Sequence, residues 1–130
     1  MPHIVVEYTA NLAEHLDVRQ LLTALHRAAC ASGHFLPSSV RTRAIQLDDY
    51  LIGDEHASNS MVHIVARVRP RSDSQLRELG ATLMEAVTGQ LQQLQERLPL
   101  GITLEVQQID VAHRFLLCNL EEFQAKRKPE

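Results

Sequence analysis

The sequence predicts an α+β fold in which a β-α-β unit occurs twice and the two units share one four-stranded mixed sheet with two helices on one face. Extended, β-branched stretches alternate with amphipathic helical stretches, and the order strand, helix, strand repeats after about 60 residues. The chain has 130 residues, 45% apolar and 22% charged, which suits one domain. We expect a single domain over 1–130, with repeats at about 2–48 and 61–110 and a tail at 113–130 that finishes with residues 126–130 as a frayed end.

The first unit begins with the β-branched stretch 3–8, which follows Pro2. A proline is tolerated at the first position of a strand because its missing N–H need not join the hydrogen-bond ladder. From Val18 onward the apolar residues recur at the 3–4 spacing of an amphipathic helix. Asp17 is the candidate N-cap, and Gly33 stands where a left-handed residue ends such a helix.

The stretch 40–47 is the predicted second strand, and 61–68 starts the second unit. Ser72 and Gln75 have the spacing of a capping box in front of a second, longer helix. Residues 102–106 then alternate as a fourth strand. A parallel pair of strands needs a long crossover, and each unit has a helix in that position.

The alternation of residues along the strands predicts a sheet that is apolar on both faces. If Val62 and Ile64 face the helices, the odd-numbered residues of the second and third strands point from the opposite face. That face would carry Arg41, Arg43, Ile45, Leu47, Met61, His63, Val65, Arg67 and Arg69. Because four of these side chains are apolar, we expect the face to pack against another subunit in a homo-oligomer.

Composition argues against several classes of partner. With 13 basic and 16 acidic residues and five aromatic side chains, the chain shows neither a phosphate-neutralising surface nor a base-stacking platform, so we expect no nucleic acid partner. No apolar run approaches the roughly 20 residues needed to span a bilayer, and the amino terminus lacks the order of a secretory signal. These features predict no membrane partner and a cytoplasmic location.

The cysteines and histidines do not predict a metal site. Cys30 and Cys118 belong to no short ligand spacing, and we expect both to be buried, reduced thiols. The seven histidines form no metal-binding pair at helical spacing. Such scattered histidines are usually structural or exposed.

Pro2 is the first candidate for chemistry. Cells generally remove an initiator methionine when a residue as small as proline follows, and Pro2 would then carry a free secondary amine. An α-amino group titrates near 7.7–8.0 in peptides, and burial or neighbouring cations lower that value, so the amine could act as a base at neutral pH. The alternative is that Pro2 merely begins a strand.

Three segments occur in the order and spacing of one family: the opening MPHIVVEYTANL, Val-Arg-Thr-Arg at 40–43, and Pro-Arg-Ser at 70–72. With the duplicated unit, they make the chain resemble the 5-carboxymethyl-2-hydroxymuconate isomerase family of the tautomerase superfamily, from Pro2 to about Gln108. The resemblance implies a homotrimer of fused β-α-β units and an amino-terminal proline as the acid/base. It also implies active-site arginines at Arg41 and Arg71.

The chemistry of these residue types agrees with the resemblance. A muconate-type substrate is a conjugated dienol with several carboxylates, and planar guanidinium groups bind carboxylates bidentately and stay charged. Cations near Pro2 would lower its proton affinity and stabilise negative charge on substrate oxygens. The alternative for Arg41 and Arg71 is a solvated or subunit-bridging charge. His3 and His63 lie on predicted strands, where either could line the pocket as an orienting group, although a hydrogen-bonded structural histidine is the more common case. No role is predicted for Arg43, Arg67 or Arg69.

The sequence therefore predicts a cofactor-independent isomerase that ketonises a carboxylate-bearing dienol. The substrate implied by the resemblance is 5-carboxymethyl-2-hydroxymuconate, from homoprotocatechuate degradation. The predicted catalytic residues are Pro2, Arg41 and Arg71, with no metal or cofactor because the electrons remain within the substrate. Two alternatives stay open: a superfamily enzyme for another 2-oxo acid or enol, and a non-catalytic trimeric binding module.

Overall fold

The computed structural model describes residues 1–127 and contains four strands and three α-helices. The elements are β1 (His3–Thr9), α1 (Val18–Ala31), β2 (Arg41–Leu47), β3 (Ser60–Val68), α2 (Asp73–Gln95), β4 (Leu100–Gln108) and α3 (Leu120–Arg127). A 3₁₀ turn over Pro37–Ser39 leads into β2. None of the helices within residues 1–127 has the length and apolar character to cross a bilayer.

The four strands form one mixed sheet in the order β2-β1-β3-β4. β1 is parallel to β2 and β3 is parallel to β4, as expected for two β-α-β units, whereas β1 and β3 are antiparallel. In the register of the central strand, His3 lies opposite both Arg41 and Arg67. The predicted α+β fold, with a duplicated β-α-β unit and a four-stranded mixed sheet, is confirmed.

The core lies between the sheet and the two long helices. Ile4 and Val6 of β1 and Val62 and Ile64 of β3 are fully buried against a row of leucines and a valine on the helices. From α1 and α2 that row consists of Leu21, Leu25, Leu79, Leu83, Val87 and Leu91. The prediction that the even-numbered side chains of β3 face the helices is therefore confirmed.

Local sequence signals define the helix ends as predicted. The Asp17 side chain accepts a hydrogen bond from the Gln20 backbone N–H at 3.0 Å, which satisfies one free donor at the start of α1. Gly33 follows the helix at φ +82°, a conformation that side chains with a Cβ disfavour. Ser72 and Gln75 form both hydrogen bonds of a capping box at the start of α2.

Two expectations about the tail are wrong. We expected a frayed end in the region that closes with residues 126–130, but α3 extends to Arg127; residues 128–130 lie outside the described part of the chain. The helix is held because Gln124 Nε2 donates to the Ser38 carbonyl at 3.2 Å. Cys118, expected to be buried, is exposed, since it precedes α3 on the protein surface; Cys30 is half-buried.

Candidate active site

The chain topology brings one end of all four strands together. β1 and β2 start at the end of the sheet where β3 and β4 finish, because β1 runs antiparallel to β3 and each outer strand is parallel to its inner neighbour. A cleft of about 160 Å³ opens there around the amino terminus. It is lined by Met1, Ser38, Ser39, Arg41, Leu116, Cys118, Leu120 and Glu121.

The amino terminus is held in place within this cleft. Pro2 is buried, and its carbonyl accepts a hydrogen bond from the Arg41 backbone N–H at 3.1 Å. Met1 is attached, so the Pro2 nitrogen is part of a peptide bond. The Met1 ammonium donates to the Ser39 carbonyl at 2.9 Å. The terminus therefore has a fixed position beside β2.

Burial and neighbouring arginines lower the pKa of the Met1 amine below its ordinary value of 8.0. Burial makes the largest contribution because it disfavours the charged form. The positive charges of Arg41, Arg114 and Arg69 lower the pKa further, while Cys118 opposes them. This end of the sheet therefore favours a neutral amine.

Arg41 forms part of the cleft wall at the first position of β2. Its Nη1 atom donates to the Ser39 carbonyl at 3.4 Å, and its Nη2 atom lies 3.4 Å from the Cys118 sulfur. The guanidinium is half-buried. The structure therefore brings Arg41 to the amino terminus, as the sequence prediction requires.

Arg71 is held by backbone groups of two neighbouring segments. Its Nη1 atom donates to the Arg69 carbonyl at 2.8 Å and its Nη2 atom to the His34 carbonyl at 2.6 Å. The guanidinium also lies over the Phe35 ring, 4.7 Å from the centroid, which is a cation–π distance. Burial and the nearby Arg69 charge lower the pKa of Arg71. Within a single chain, the Arg71 guanidinium therefore donates hydrogen bonds to the loops after α1 and β3.

The sheet surface beside the amino terminus is strongly basic. Arg43 Nη1 donates to His3 Nδ1 at 3.0 Å, which requires a lone pair on that ring nitrogen. Burial, followed by the charges of Arg43 and Arg41, lowers the pKa of His3. The arginine cluster is defined here as the five arginines whose charges act on the Met1 amine or on His3, namely Arg41, Arg43, Arg67, Arg69 and Arg114.

The arginine cluster lacks acidic partners in the part of the chain that the structure describes. Within residues 1–127, no carboxylate oxygen lies within 4.0 Å of a guanidinium nitrogen of the cluster. Glu121 supplies the carboxylate on the cleft wall. Unpaired guanidinium groups beside a partly desolvated amine can bind an anion and stabilise charge that develops on its oxygens.

The sequence patterns did not predict that the C-terminal segment contributes to the cleft. Arg114, Cys118 and Glu121 fall outside the repeated units, and no periodic pattern places them near the amino terminus. The available signal was the apolar run Phe115-Leu116-Leu117, which is unusual in a frayed end. No role was predicted for Arg69, although its charge lowers the pKa of the Met1 amine.

Solved structures share this architecture along nearly the entire chain. A 5-carboxymethyl-2-hydroxymuconate isomerase from Deinococcus radiodurans R1 superposes with a TM-score of 0.86 at 25% identity, covering 98% of this chain and 95% of that one. A fused 4-OT described as a symmetric trimer gives a TM-score of 0.64 at 19% identity, covering 96% and 99%. The fold and the cleft at the amino terminus define an isomerase of the tautomerase superfamily.

Sequence comparison identifies the family within that class. The family model for 5-carboxymethyl-2-hydroxymuconate isomerase matches residues 2–123, and the chain belongs to this family. A 5-carboxymethyl-2-hydroxymuconate Delta-isomerase from Escherichia coli is 24% identical over 110 residues, covering 84% of this chain and 87% of that protein. The family expected from the three sequence segments is thus confirmed.

Proposed function

We propose that this isomerase ketonises 5-carboxymethyl-2-hydroxymuconate, a dienol with several carboxylates, and that the Pro2 nitrogen is the acid/base. The family and its relatives carry the name of this substrate. The observation that carries the proposal is the fixed amino terminus, which lies in a cleft beside Arg41 in surroundings that lower the pKa of an amine.

The proposal requires removal of Met1. Once Met1 leaves, the Pro2 nitrogen becomes a secondary amine one residue away from the present terminus, and Pro2 is already buried. Burial and the arginine charges would act on this amine as they act on the Met1 amine. A larger neutral fraction at neutral pH makes Pro2 a better base.

The reaction moves one proton and no electrons leave the substrate. The neutral Pro2 nitrogen accepts the proton of the 2-hydroxyl group, and the O–H electron pair forms the carbonyl π bond. The π electrons shift along the diene, and the protonated Pro2 returns its proton at the carbon end of the system. Arg41 stabilises negative charge on the substrate oxygens during transfer. Because the electrons stay within the substrate and Pro2 carries the proton, the reaction requires no metal or cofactor.

Arg71 enters the proposal as a second carboxylate-binding arginine. Its hydrogen bonds to His34 and Arg69 fix the guanidinium at the loop after β3, where it is half-buried and retains further N–H donors. In a trimer, the Arg71 and Arg41 that bind one substrate can belong to different subunits.

We further propose a cytoplasmic homotrimer of single-domain subunits spanning 1–130. The fused 4-OT neighbour is described as a symmetric trimer. The sheet face opposite the helices carries apolar side chains, with Ile45 43% exposed, and Phe115 and Leu117 are almost fully exposed. Packing of these surfaces against other copies would bury them. The two free cysteines suit a reducing compartment.

An ultraviolet assay of dienol loss tests the proposal. Enzyme that lacks Met1, as established by mass spectrometry, is compared with Pro2→Ala, Arg41→Ala and enzyme that retains Met1. We expect a loss of about 100-fold or more in kcat for the enzyme with Met1, because its Pro2 nitrogen is an amide and general acid–base catalysis contributes on that order. Pro2→Ala keeps a primary amine at the terminus, so we expect a smaller loss. Equal rates in all four, after subtraction of the spontaneous reaction, would remove the mechanism.

The same assay separates the two alternatives. A panel of 2-oxo acids and enols identifies a different substrate if turnover depends on Pro2 but the muconate compound is slow. A binding module predicts that ligand binding is unaffected by Met1 or by Pro2→Ala and that no enol in the panel is turned over.

A further inference from the structure

A groove separate from the amino-terminal cleft lies between the outer surface of α1 and the edge of the sheet. β2 is the edge strand, and no further strand within residues 1–127 lies beside it. The groove has a volume of about 330 Å³, which is within the range of small-molecule sites. We call it the α1–β2 groove, and it is lined by Arg19, Leu22, Thr23, His26, Arg27 and Thr42. None of these residues lines the amino-terminal cleft.

One side of the α1–β2 groove is a surface of α1. Arg19, Thr23 and Arg27 follow one another at intervals of four residues, so their side chains form one row along the helix. Leu22 and His26 form the neighbouring row at the same spacing. Because an arginine stands at each end of the first row, two guanidinium groups can reach a ligand in the groove from opposite ends.

The other side of the α1–β2 groove is formed by Thr42 of β2. Thr42 pairs with Ile4, whose side chain is buried beneath the helices, so Thr42 lies on the same face of the sheet. Its Oγ1 atom lies 2.8 Å from His26 Nδ1, which is a hydrogen-bond distance. This bond orients the half-buried imidazole and leaves Nε2 as the ring nitrogen that can contact a ligand. Helix and strand are therefore joined across the groove before a ligand binds.

The positive charge of the α1–β2 groove is not balanced by the surrounding protein. Within residues 1–127, neither Arg19 nor Arg27 has a carboxylate oxygen within 4.0 Å of its guanidinium nitrogens. None of the residues that line the groove is acidic. Arg19 also lies in the first turn of α1, where the helix dipole disfavours a cation and favours an anion. An anion bound beside the two arginines would offset both effects.

We propose that the α1–β2 groove binds a small organic dianion, a phosphate monoester or a dicarboxylate, at a site distinct from the amino-terminal cleft. Each guanidinium carries one positive charge and can donate two parallel hydrogen bonds to a carboxylate or phosphate group. The two arginines therefore balance two negative charges, while Leu22 contacts the carbon chain and His26 Nε2 contacts an anionic oxygen. The inference goes beyond the proposed function, because it requires neither Pro2 nor Arg41.

Binding of two dianions to the full chain tests the inference. Isothermal titration calorimetry with glycerol 3-phosphate and with glutarate compares the unsubstituted protein with Arg19→Gln, Arg27→Gln and Arg97→Gln. Arg97 is the matched control because it is exposed, lies outside the α1–β2 groove, and has no carboxylate within 4.0 Å in residues 1–127. Acetate and glycerol serve as the singly charged and the neutral compound. Far-ultraviolet circular dichroism and the thermal midpoint show whether each variant is folded.

We expect saturable binding of a dianion, and the one that binds more tightly identifies phosphate or carboxylate as the anionic group. Arg19→Gln and Arg27→Gln should each weaken this binding about tenfold or more, as loss of a charge-assisted hydrogen bond does. Arg97→Gln should bind as the unsubstituted protein does. Failure of both dianions to bind, equal weakening in Arg97→Gln, or equally tight binding of acetate would overturn the inference.

Amide chemical shifts in nuclear magnetic resonance spectra locate the bound dianion, since Arg41 could also attract an anion to the amino-terminal cleft. We expect shift changes at Thr23, His26 and Thr42 that saturate with the calorimetric affinity, both in the unsubstituted protein and in Arg41→Gln. Shift changes confined to Ser39 and Arg41 would place the dianion in the cleft and overturn the inference.

Discussion

The Cys118 sulfur lies 3.4 Å from Nη2 of Arg41, although 77 residues separate them in the chain. This contact joins the C-terminal segment to the first residue of β2 at the cleft that holds the amino terminus. A reagent bound to Cys118 would therefore occupy the space next to Arg41.

Alkylation of Cys118 should inhibit the enzyme. Iodoacetamide adds bulk within a cleft of about 160 Å³ and displaces Arg41, and we expect kcat/KM to fall about tenfold or more, as active-site misplacement does. Cys30 should react more slowly because burial raises the pKa of its thiol. Peptide mass mapping against residual activity checks both points. Inactivation of Cys118→Ser at the rate of the unsubstituted enzyme would contradict this account.

The pH dependence of kcat/KM should show an ascending limb below the ordinary pKa of an amino-terminal amine. If Pro2 is the acid/base, the limb reports loss of its proton, and the burial and arginine charges that lower the pKa of the Met1 amine would act on the Pro2 amine too. Arg41→Gln removes one of those charges, so the limb should move to higher pH. His3→Gln is the control, because the pKa of His3 is also lowered. If the ascending limb shifts in His3→Gln but keeps its position in Arg41→Gln, the titrating group is His3 and the prediction for Pro2 fails.

The pKa of His63 is raised from its ordinary value of 6.5 because two carboxylates on the sheet face opposite the helices stabilise its charged form. Its Nε2 atom lies 2.7 Å from Glu105 Oε2, and its Nδ1 atom lies 3.6 Å from Glu7 Oε1. The hydrogen bond that the His63 ring donates to the Glu105 carboxylate is the main cause of the raised pKa. Nuclear magnetic resonance titration of the ring should give a lower pKa in Glu105→Gln than in the unsubstituted protein.

The raised pKa of His63 also predicts a direction for stability. In the folded state His63 binds its proton more tightly than in the unfolded chain, so its contribution is fully present below pH 6.5 and is lost as pH rises through the folded pKa. Urea unfolding at several pH values measures the difference in the free energy of unfolding between the protein and Glu105→Gln. A difference that increases toward alkaline pH would contradict this prediction.

Two glycine substitutions should change stability in opposite directions. Gly33 has φ +82° and Gly89 lies within α2, and a Cβ added at either position meets no atom within 4 Å. Gly33→Ala should destabilise by about 1 kcal/mol because of its left-handed backbone, and Gly89→Ala should stabilise by about 1 kcal/mol through helix propensity. Urea denaturation measures both. Stabilisation by Gly33→Ala would show that the backbone there relaxes at no penalty.

Elements with strong local signals could be predicted from the sequence. Asp17, Gly33 and the Ser72–Gln75 capping box each act over a few residues, so the same residues define the helix ends in the structure. Side-chain alternation along β3 likewise identified the buried face, because neighbouring residues of a strand point to opposite sides. Pro2 and Arg41 were predicted to belong to one active site because the segments that contain them resemble those of one family.

The contacts of Arg71 could not be predicted from local sequence patterns. No local pattern indicates that its guanidinium donates to the His34 carbonyl, 37 residues earlier in the chain. That bond depends on how the loop after α1 packs against the loop after β3. Its predicted role as a carboxylate binder stays a prediction.

Periodicity and interactions between near neighbours were enough to predict the duplicated unit, the helix caps and the two faces of the sheet. Tertiary packing alone brings the charges of Arg69 and Arg114 and the thiol of Cys118 close to the amino terminus, and it holds the tail, as α3, against the 3₁₀ turn before β2. Those residues meet because four strand ends converge, and the convergence depends on pairing between distant segments that no local pattern encodes.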